Sequence, residues 1–156
     1  SATIGGGMKA LLEHPQQLAK LRDKPELSRQ AAREMIRWVS PVRHMMRTTT
    51  EEVTLQGKTL KAGDNLCLWY PSANRDSEAI DNPDVFDIER DNRNQLAFGY
   101  GGHMCLGQHL AVLEVEIFFR ELLSRLKHIE LAADPEWVQA IFVGGLKSMP
   151  VRYSFA

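Results

Sequence analysis

One stretch limits what this chain can be: Phe98-Gly99-Tyr100-Gly101-Gly102-His103-Met104-Cys105-Leu106-Gly107. It sets a single cysteine among glycines, and an apolar-periodic segment that predicts a long helix, from Gln108 to about Leu126, follows at once. A cysteine at a helix N-terminus meets the positive end of the helix dipole and unpaired backbone N–H groups, which favour thiolate over thiol. Glycines without Cβ atoms let the backbone approach something large and flat. The stretch therefore reads as a loop built to hold a thiolate against a planar ligand.

The rest of the chain has to supply what surrounds that loop. Its 156 residues are enough for one ordinary domain with its own core. Hydrophobic content of 44% and charged content of 25% are those of an ordinary globular chain. A net charge of −1 argues against a nucleic-acid partner, which would select a strong basic excess. No apolar run approaches the roughly 18 residues of a membrane span, and no secretory leader pattern opens the sequence. Cys67 and Cys105 do not make a disulfide framework, which points to the reducing cytoplasm. The opening Ser1-Ala2-Thr3-Ile4-Gly5-Gly6-Gly7-Met8 reads as the interior of a helix.

Ile4, Met8, Leu11 and Leu12 recur at helical spacing until His14-Pro15. Three glycines there would each weaken an isolated helix by roughly 1 kcal/mol, so something is expected to pack closely on that face. Pro15 starts a short helix to Leu21, and Lys24-Pro25 breaks it. A third helix is expected from about Glu26 to Val39, ended by Ser40-Pro41. His44–Thr50, Glu51–Leu55, Thr59–Lys61 and Asn65–Trp69 are β-prone and separated by turn residues, which predicts a small antiparallel meander. Tyr70–Arg75 reads as a short helix. Asp76–Leu96 is an irregular loop with apolar anchors at Val85, Phe86 and Ile88, and a loop of that length is usually functional. After the long helix, strands are expected at Ile129–Leu131, Ala140–Val143 and Val151–Phe155, with Gly144-Gly145 as a turn.

Glu34 and Arg37 stand at i, i+3 on one helix face. Alone they read as an exposed pair contributing a few tenths of a kcal/mol. Taken with Arg90 on the irregular loop, one carboxylate and two guanidiniums could form a partly buried bidentate network that pins the loop. For Cys105, a nucleophile lacks a third orienting group beside His103 and His109. A zinc site built on His103-x-Cys105-x-x-x-His109 lacks nearby further ligands. A thiolate on a close-approach loop can instead serve as axial ligand to haem iron. Cys67, between Leu66 and Leu68, reads as a buried inert strand residue. His14, His44 and His128 read as surface or loop residues, and Trp38, Trp69 and Trp137 as packing. Glu114 and Glu116, two apart on a helix, do not share a face.

Glu34-x-x-Arg37, Arg90 after Phe86, and Phe98-x-x-Gly101-x-His103-x-Cys105-x-Gly107, in this order and spacing, resemble the motif set of the cytochrome P450 family. Tyr70–Asp76, His103–Leu110 and Phe142–Gly145 are similar to its bacterial terpene hydroxylases of the terpineol type. The resemblance implies a mainly α fold with small β-sheets (α+β), with 1–156 as one incomplete, C-terminal, haem-ligand segment of it. It implies haem b (iron protoporphyrin IX) as cofactor and Cys105 as axial ligand. Phe98 would pack beside the thiolate, Gly101 and Gly107 would give close approach, and His103 and Arg47 would hold the haem propionates, with Arg43 a weaker candidate. Glu34, Arg37 and Arg90 would be the structural triad. Val42, Met45, Met46, Phe142 and Val143 fall where family members contact substrate.

The same resemblance implies oxygen insertion into a small apolar substrate, terpenoid or aromatic, with electrons from an iron–sulfur ferredoxin, in the cytoplasm. The family's acid–alcohol pair is expected upstream, since Ser1 and Thr3 fall on the next turn, so no catalytic residue is assigned and the segment alone is expected to be inactive. The rival expectation is a non-catalytic remnant without haem, folded or oligomerised.

Overall fold

A computed structural model describes residues 1–156. Three helices open the chain: α1 (Ala2–Glu13), α2 (Pro15–Asp23) and α3 (Ser28–Val39), the last preceded by a 3₁₀ turn at Pro25–Leu27. In α3 the residues Ala31, Ala32, Met35 and Ile36 form one buried stripe at 3–4 spacing. The helix stops where Ser40 takes a left-handed φ of 41° while its N–H donates to the Ile36 carbonyl, and Pro41 bars a further turn.

Two of the three glycines of α1, Gly6 and Gly7, face α3, while Gly5 faces Leu146. A Cβ on Gly6 would lie 2.6 Å from Val39 Cγ2, and one on Gly7 would lie 2.8 Å from Met35 Sδ. The two helix backbones approach more closely than any side chain at these positions would allow. This is the close packing that the glycine run predicts. The long helix α5 (Gln108–Arg125) closes the layer with Val112, Val115, Phe119 and Leu123 turned inward. Leu11, Met35, Phe86, Ile88 and Phe119 form the fully buried centre shared by α1, α3, α5 and the irregular loop. Truncating Leu11 to Ala there should cost about 2–5 kcal/mol.

The middle of the chain is not a meander. Strands β1 (His44–Thr48) and β4 (Asn65–Trp69) pair antiparallel from His44↔Trp69 to Thr48↔Asn65. Between them β2 (Val53–Leu55) and β3 (Lys58–Leu60) form a separate hairpin around Gln56-Gly57. Thr49 diverts the chain here. Its hydroxyl donates to Lys61 O and its N–H to Asp64 O, which closes the base of the hairpin and brings β4 back to β1. A two-stranded sheet has one poorly covered face, and that face carries Met46 paired with Cys67. Cys67 is therefore exposed rather than buried.

The short helix α4 (Tyr70–Ala73) leads into the irregular loop, and after α5 come β5 (Leu126–Leu131), β6 (Glu136–Trp137), β7 (Leu146–Ser148) and β8 (Val151–Phe155). β5 pairs with β8 and β6 with β7, both antiparallel. The strand expected at Ala140–Val143 is reduced to one bridge, Val42↔Val143. The reason is that this segment bonds to the chain entering β1 rather than to a strand. Arg43 N–H donates to Phe142 O, and Gly144 N–H to Pro41 O, both at 2.8 Å. Two histidines are also not simple surface residues. His14 lies against Trp38 and Phe86 at ring distances of 5.8 and 5.3 Å, and its Nδ1 lies 2.8 Å from Ala10 O. His44 lies between Trp69 and Phe142. Trp69 and Trp137 are about half exposed, whereas Trp38 packs beneath the loop.

No helix is long and apolar enough to cross a membrane.

Candidate functional site

The site begins with an ion pair inside the fold. Glu34 and Arg37 are both fully buried, one turn apart on α3. Arg37 Nε and Nη2 donate to the two carboxylate oxygens of Glu34, each at 2.7 Å, in a bidentate fork. Arg37 Nη1 donates to the carbonyls of Asn74 and Pro83, each at 2.8 Å. The pair is therefore not an exposed helix pair. Its unused hydrogen-bonding positions are spent on loop backbone, which a buried charge requires.

Arg90 joins the same carboxylate from the loop, with Nε 3.4 Å from Glu34 Oε1. Its other nitrogens donate to the carbonyls of Asp81, Asn82 and Val85. Asp87 N–H also donates to Glu34 Oε1 at 3.0 Å. The two arginines thus act as backbone clamps on a loop that has no strand partner. Arg75 lies over Trp38 at 4.3 Å. Burial pushes its guanidinium below the usual range, and the neighbouring Arg37 charge adds to this.

Sequence reasoning missed a second pin. Asn74 is fully buried. Its Nδ2 donates to Ser40 Oγ at 2.8 Å, and its Oδ1 accepts from Leu96 N–H at 2.6 Å. Ser40 Oγ in turn donates to Arg37 O at 2.7 Å. Leu96 lies two residues before Phe98, so this chain of bonds carries the position of α3 to the start of the cysteine loop. A lone Asn after a short helix gave no sequence sign of this role.

The cysteine loop then folds on itself. Cys105 N–H donates to Phe98 O at 2.9 Å, and Met104 N–H to Gly101 O at 3.1 Å. Gly99 and Gly101 take φ values of 76° and 67°, where a side chain would be strained. A Cβ on Gly101 would meet nothing within 4 Å, and one on Gly107 would lie 4.0 Å from Cys105 Sγ. Cys105 is exposed.

Cys105 opens onto a cavity of about 490 Å³. Phe98, His103, Arg47, Val42 and Met45 line it with Cys105, so six residues singled out in the sequence meet around one cavity. Thr3, Ile36, Tyr70 and Val115 complete much of the rest. Met46, Phe142 and Val143 do not line it: Met46 is on the opposite side of β1 from Met45, and Phe142 packs against His44. Arg43 lies against the Gly144 backbone, outside the cavity. The cavity wall is mostly apolar. Its charged or polar side chains are donors or a thiol, and no carboxylate is among them. That chemistry fits a flat apolar ligand that carries carboxylates at one edge and a metal open to sulfur.

The comparisons with known proteins agree with this geometry. The family model for cytochrome P450 matches residues 10–150. The chain is 47% identical over its whole length to cytochrome P450-terp of a Pseudomonas species, of which it covers 36%. It is 39% identical to a steroid C26-monooxygenase of Mycobacterium tuberculosis over 97% of the chain and 42% of that protein. The crystal structure of CYP108D1 from Novosphingobium aromaticivorans superimposes with a TM-score of 0.94 at 41% identity, over 99% of this chain and 38% of that one. The chain thus spans little more than a third of the length of the relatives it matches, and over that span both sequence and fold agree: it belongs to the cytochrome P450 family.

Proposed function

We propose that residues 1–156 are the haem-ligand segment of a haem-thiolate monooxygenase. The observation that carries this reading is Cys105 opening, beside Phe98, Arg47 and His103, onto one apolar cavity without a carboxylate. Haem b bound there would supply the oxygen-activating redox chemistry. The chain supplies the thiolate at Cys105 Sγ and the backbone clearance at Gly101 and Gly107. The Arg47 guanidinium and the His103 ring would donate hydrogen bonds to the haem carboxylates. Phe98 would shield the sulfur from water. Glu34, Arg37 and Arg90 would act at a distance, by holding the loop that places Cys105.

A small apolar substrate would contact Val42 and Met45 on the cavity wall. A methionine suits an adaptable pocket. The likeness to cytochrome P450-terp supports a terpenoid or aromatic class. Electrons would come from a ferredoxin in the cytoplasm. A groove of about 300 Å³ flanks the cysteine loop and is lined by Arg33, Arg93 and His109, which suits an acidic partner. No proton-delivering residue is assigned within 1–156.

The test is spectroscopic. The chain is loaded with hemin, reduced and exposed to carbon monoxide. A strongly red-shifted Soret band is expected, and it should vanish in Cys105→Ser. No Soret absorbance in the parent chain would favour the rival reading, a folded remnant without haem. A band that survives in Cys105→Ser would remove Cys105 as ligand.

A further inference from the structure

Tyr70 is the first residue of α4 and is 93% buried, with 7% of its surface exposed. Its main chain is fixed at both ends: its N–H donates to Arg43 O, and its carbonyl accepts from Asn74 N–H, each at 2.9 Å. The phenol lies over the cysteine loop, where a Cβ on Gly99 would come within 3.2 Å of the hydroxyl oxygen. A phenol hydroxyl on a largely buried side chain ordinarily finds a partner. This one has none in the chain, and Tyr70 lines the cavity.

Its position is shared with one other residue. Outside the 490 Å³ cavity runs a larger groove, bounded by Trp69, Leu68 and Tyr100. Only Arg47 and Tyr70 line both spaces. They stand at the boundary where a ligand in the cavity would present its outer edge. One Arg47 nitrogen donates to Met46 O at 2.8 Å, and the others face no acceptor of the chain. Arg47, Tyr70 and His103 therefore form a wall of donors with no acidic side chain in the inner cavity to use them.

We infer that Tyr70 is a third anchor for the haem carboxylates, its phenol O–H donating to the same ligand edge as Arg47 and His103. The inference rests on the haem reading above. It also accounts for Gly99, since a side chain there would displace the hydroxyl from the loop. A hydrogen bond to a charged acceptor is stronger than one to a neutral acceptor.

Tyr70→Phe removes one oxygen and little else. The parent chain and the variant are loaded with hemin, and haem loss to excess apomyoglobin is timed. The variant should lose hemin about tenfold faster. The same measurement is made with hemin dimethyl ester, whose carboxylates are masked. There the substitution should change the rate less than about twofold. Equal hemin loss from parent and variant would overturn the inference. So would equal acceleration with hemin and its ester, because the residue would then act through packing alone. A parent chain that shows no Soret absorbance with hemin would overturn both this inference and the haem reading. A parent that loads normally while Tyr70→Phe behaves like it would overturn this inference alone.

Discussion

Glu34 is the carboxylate on which both clamping arginines converge. It accepts from Arg37, Arg90 and the Asp87 N–H, in a place water does not reach. Glu34→Gln keeps the shape but leaves two guanidiniums without a counter-charge. It should destabilise the chain by about 3–5 kcal/mol, read from urea unfolding, with loss of solubility as the extreme outcome. An Arg37→Lys change should do nearly as much harm, because an ammonium cannot make the fork and reach two carbonyls at once. The pairing of these residues in a partly buried network could be read from the sequence; the full burial of Glu34 and Arg37 could not. Spacing of i, i+3 is the same for a solvated pair and a buried one, and only the loop folded over α3 separates them. Asn74 shows the limit more sharply. Its importance comes from Ser40 and Leu96, which are 34 and 22 residues away, and local pattern carries no trace of such partners.

Among the elements, the helices were the most legible, because their apolar stripes and their proline and glycine stops are local. Most strands were legible as strands but not in their pairing, whereas the one expected at Ala140–Val143 is only a bridge and β6 and β7 carry no such pattern. β1 and β4 meet only because Thr49 and Asp64 close the intervening hairpin, and nothing in the period-2 pattern forbids β1 from pairing with β2. The α1–α3 contact gives a direct test. Gly6→Ala gains roughly 1 kcal/mol of helix propensity but drives a methyl into stiff, β-branched Val39, at a cost of roughly 1–3 kcal/mol. The net effect should be a lower thermal midpoint, and adding Val39→Ala should recover part of it beyond additivity. The contact between α2 and the loop is electrostatic instead. Lys20 Nζ lies 2.6 Å from Glu89 Oε2. This hydrogen bond raises the Lys20 pKa above its ordinary 10.5 and lowers that of Glu89 below its ordinary 4.5. A depressed carboxylate stabilises above its unfolded value and loses that effect as pH falls through the folded one. A raised ammonium stabilises below its unfolded value and loses it as pH rises through the folded one. Lys20→Met should therefore lower the thermal midpoint slightly between about pH 4.5 and 10.5. Differential scanning calorimetry should show the gap to the parent closing on both sides.

Taken as a whole, the molecule divides its labour between a helical layer and a long segment without regular structure. The helices α1, α3 and α5 make the core, and the segment from Asn74 to Gly107 lies on them and delivers Cys105 to the cavity. Its placement depends on two guanidiniums that grip main-chain oxygens: Asn74, Pro83 and Val85 for Arg37, and Asp81, Asn82 and Val85 for Arg90. A carbonyl is the same whatever side chain its residue carries. The grip is thus blind to the identity of the residues it holds. In a saturation mutagenesis screen, positions 81 and 85 should accept most substitutions other than those that bend the backbone, while 34, 37, 74 and 90 should accept almost none. Sequence drift along this loop would be a poor measure of how strongly its path is constrained.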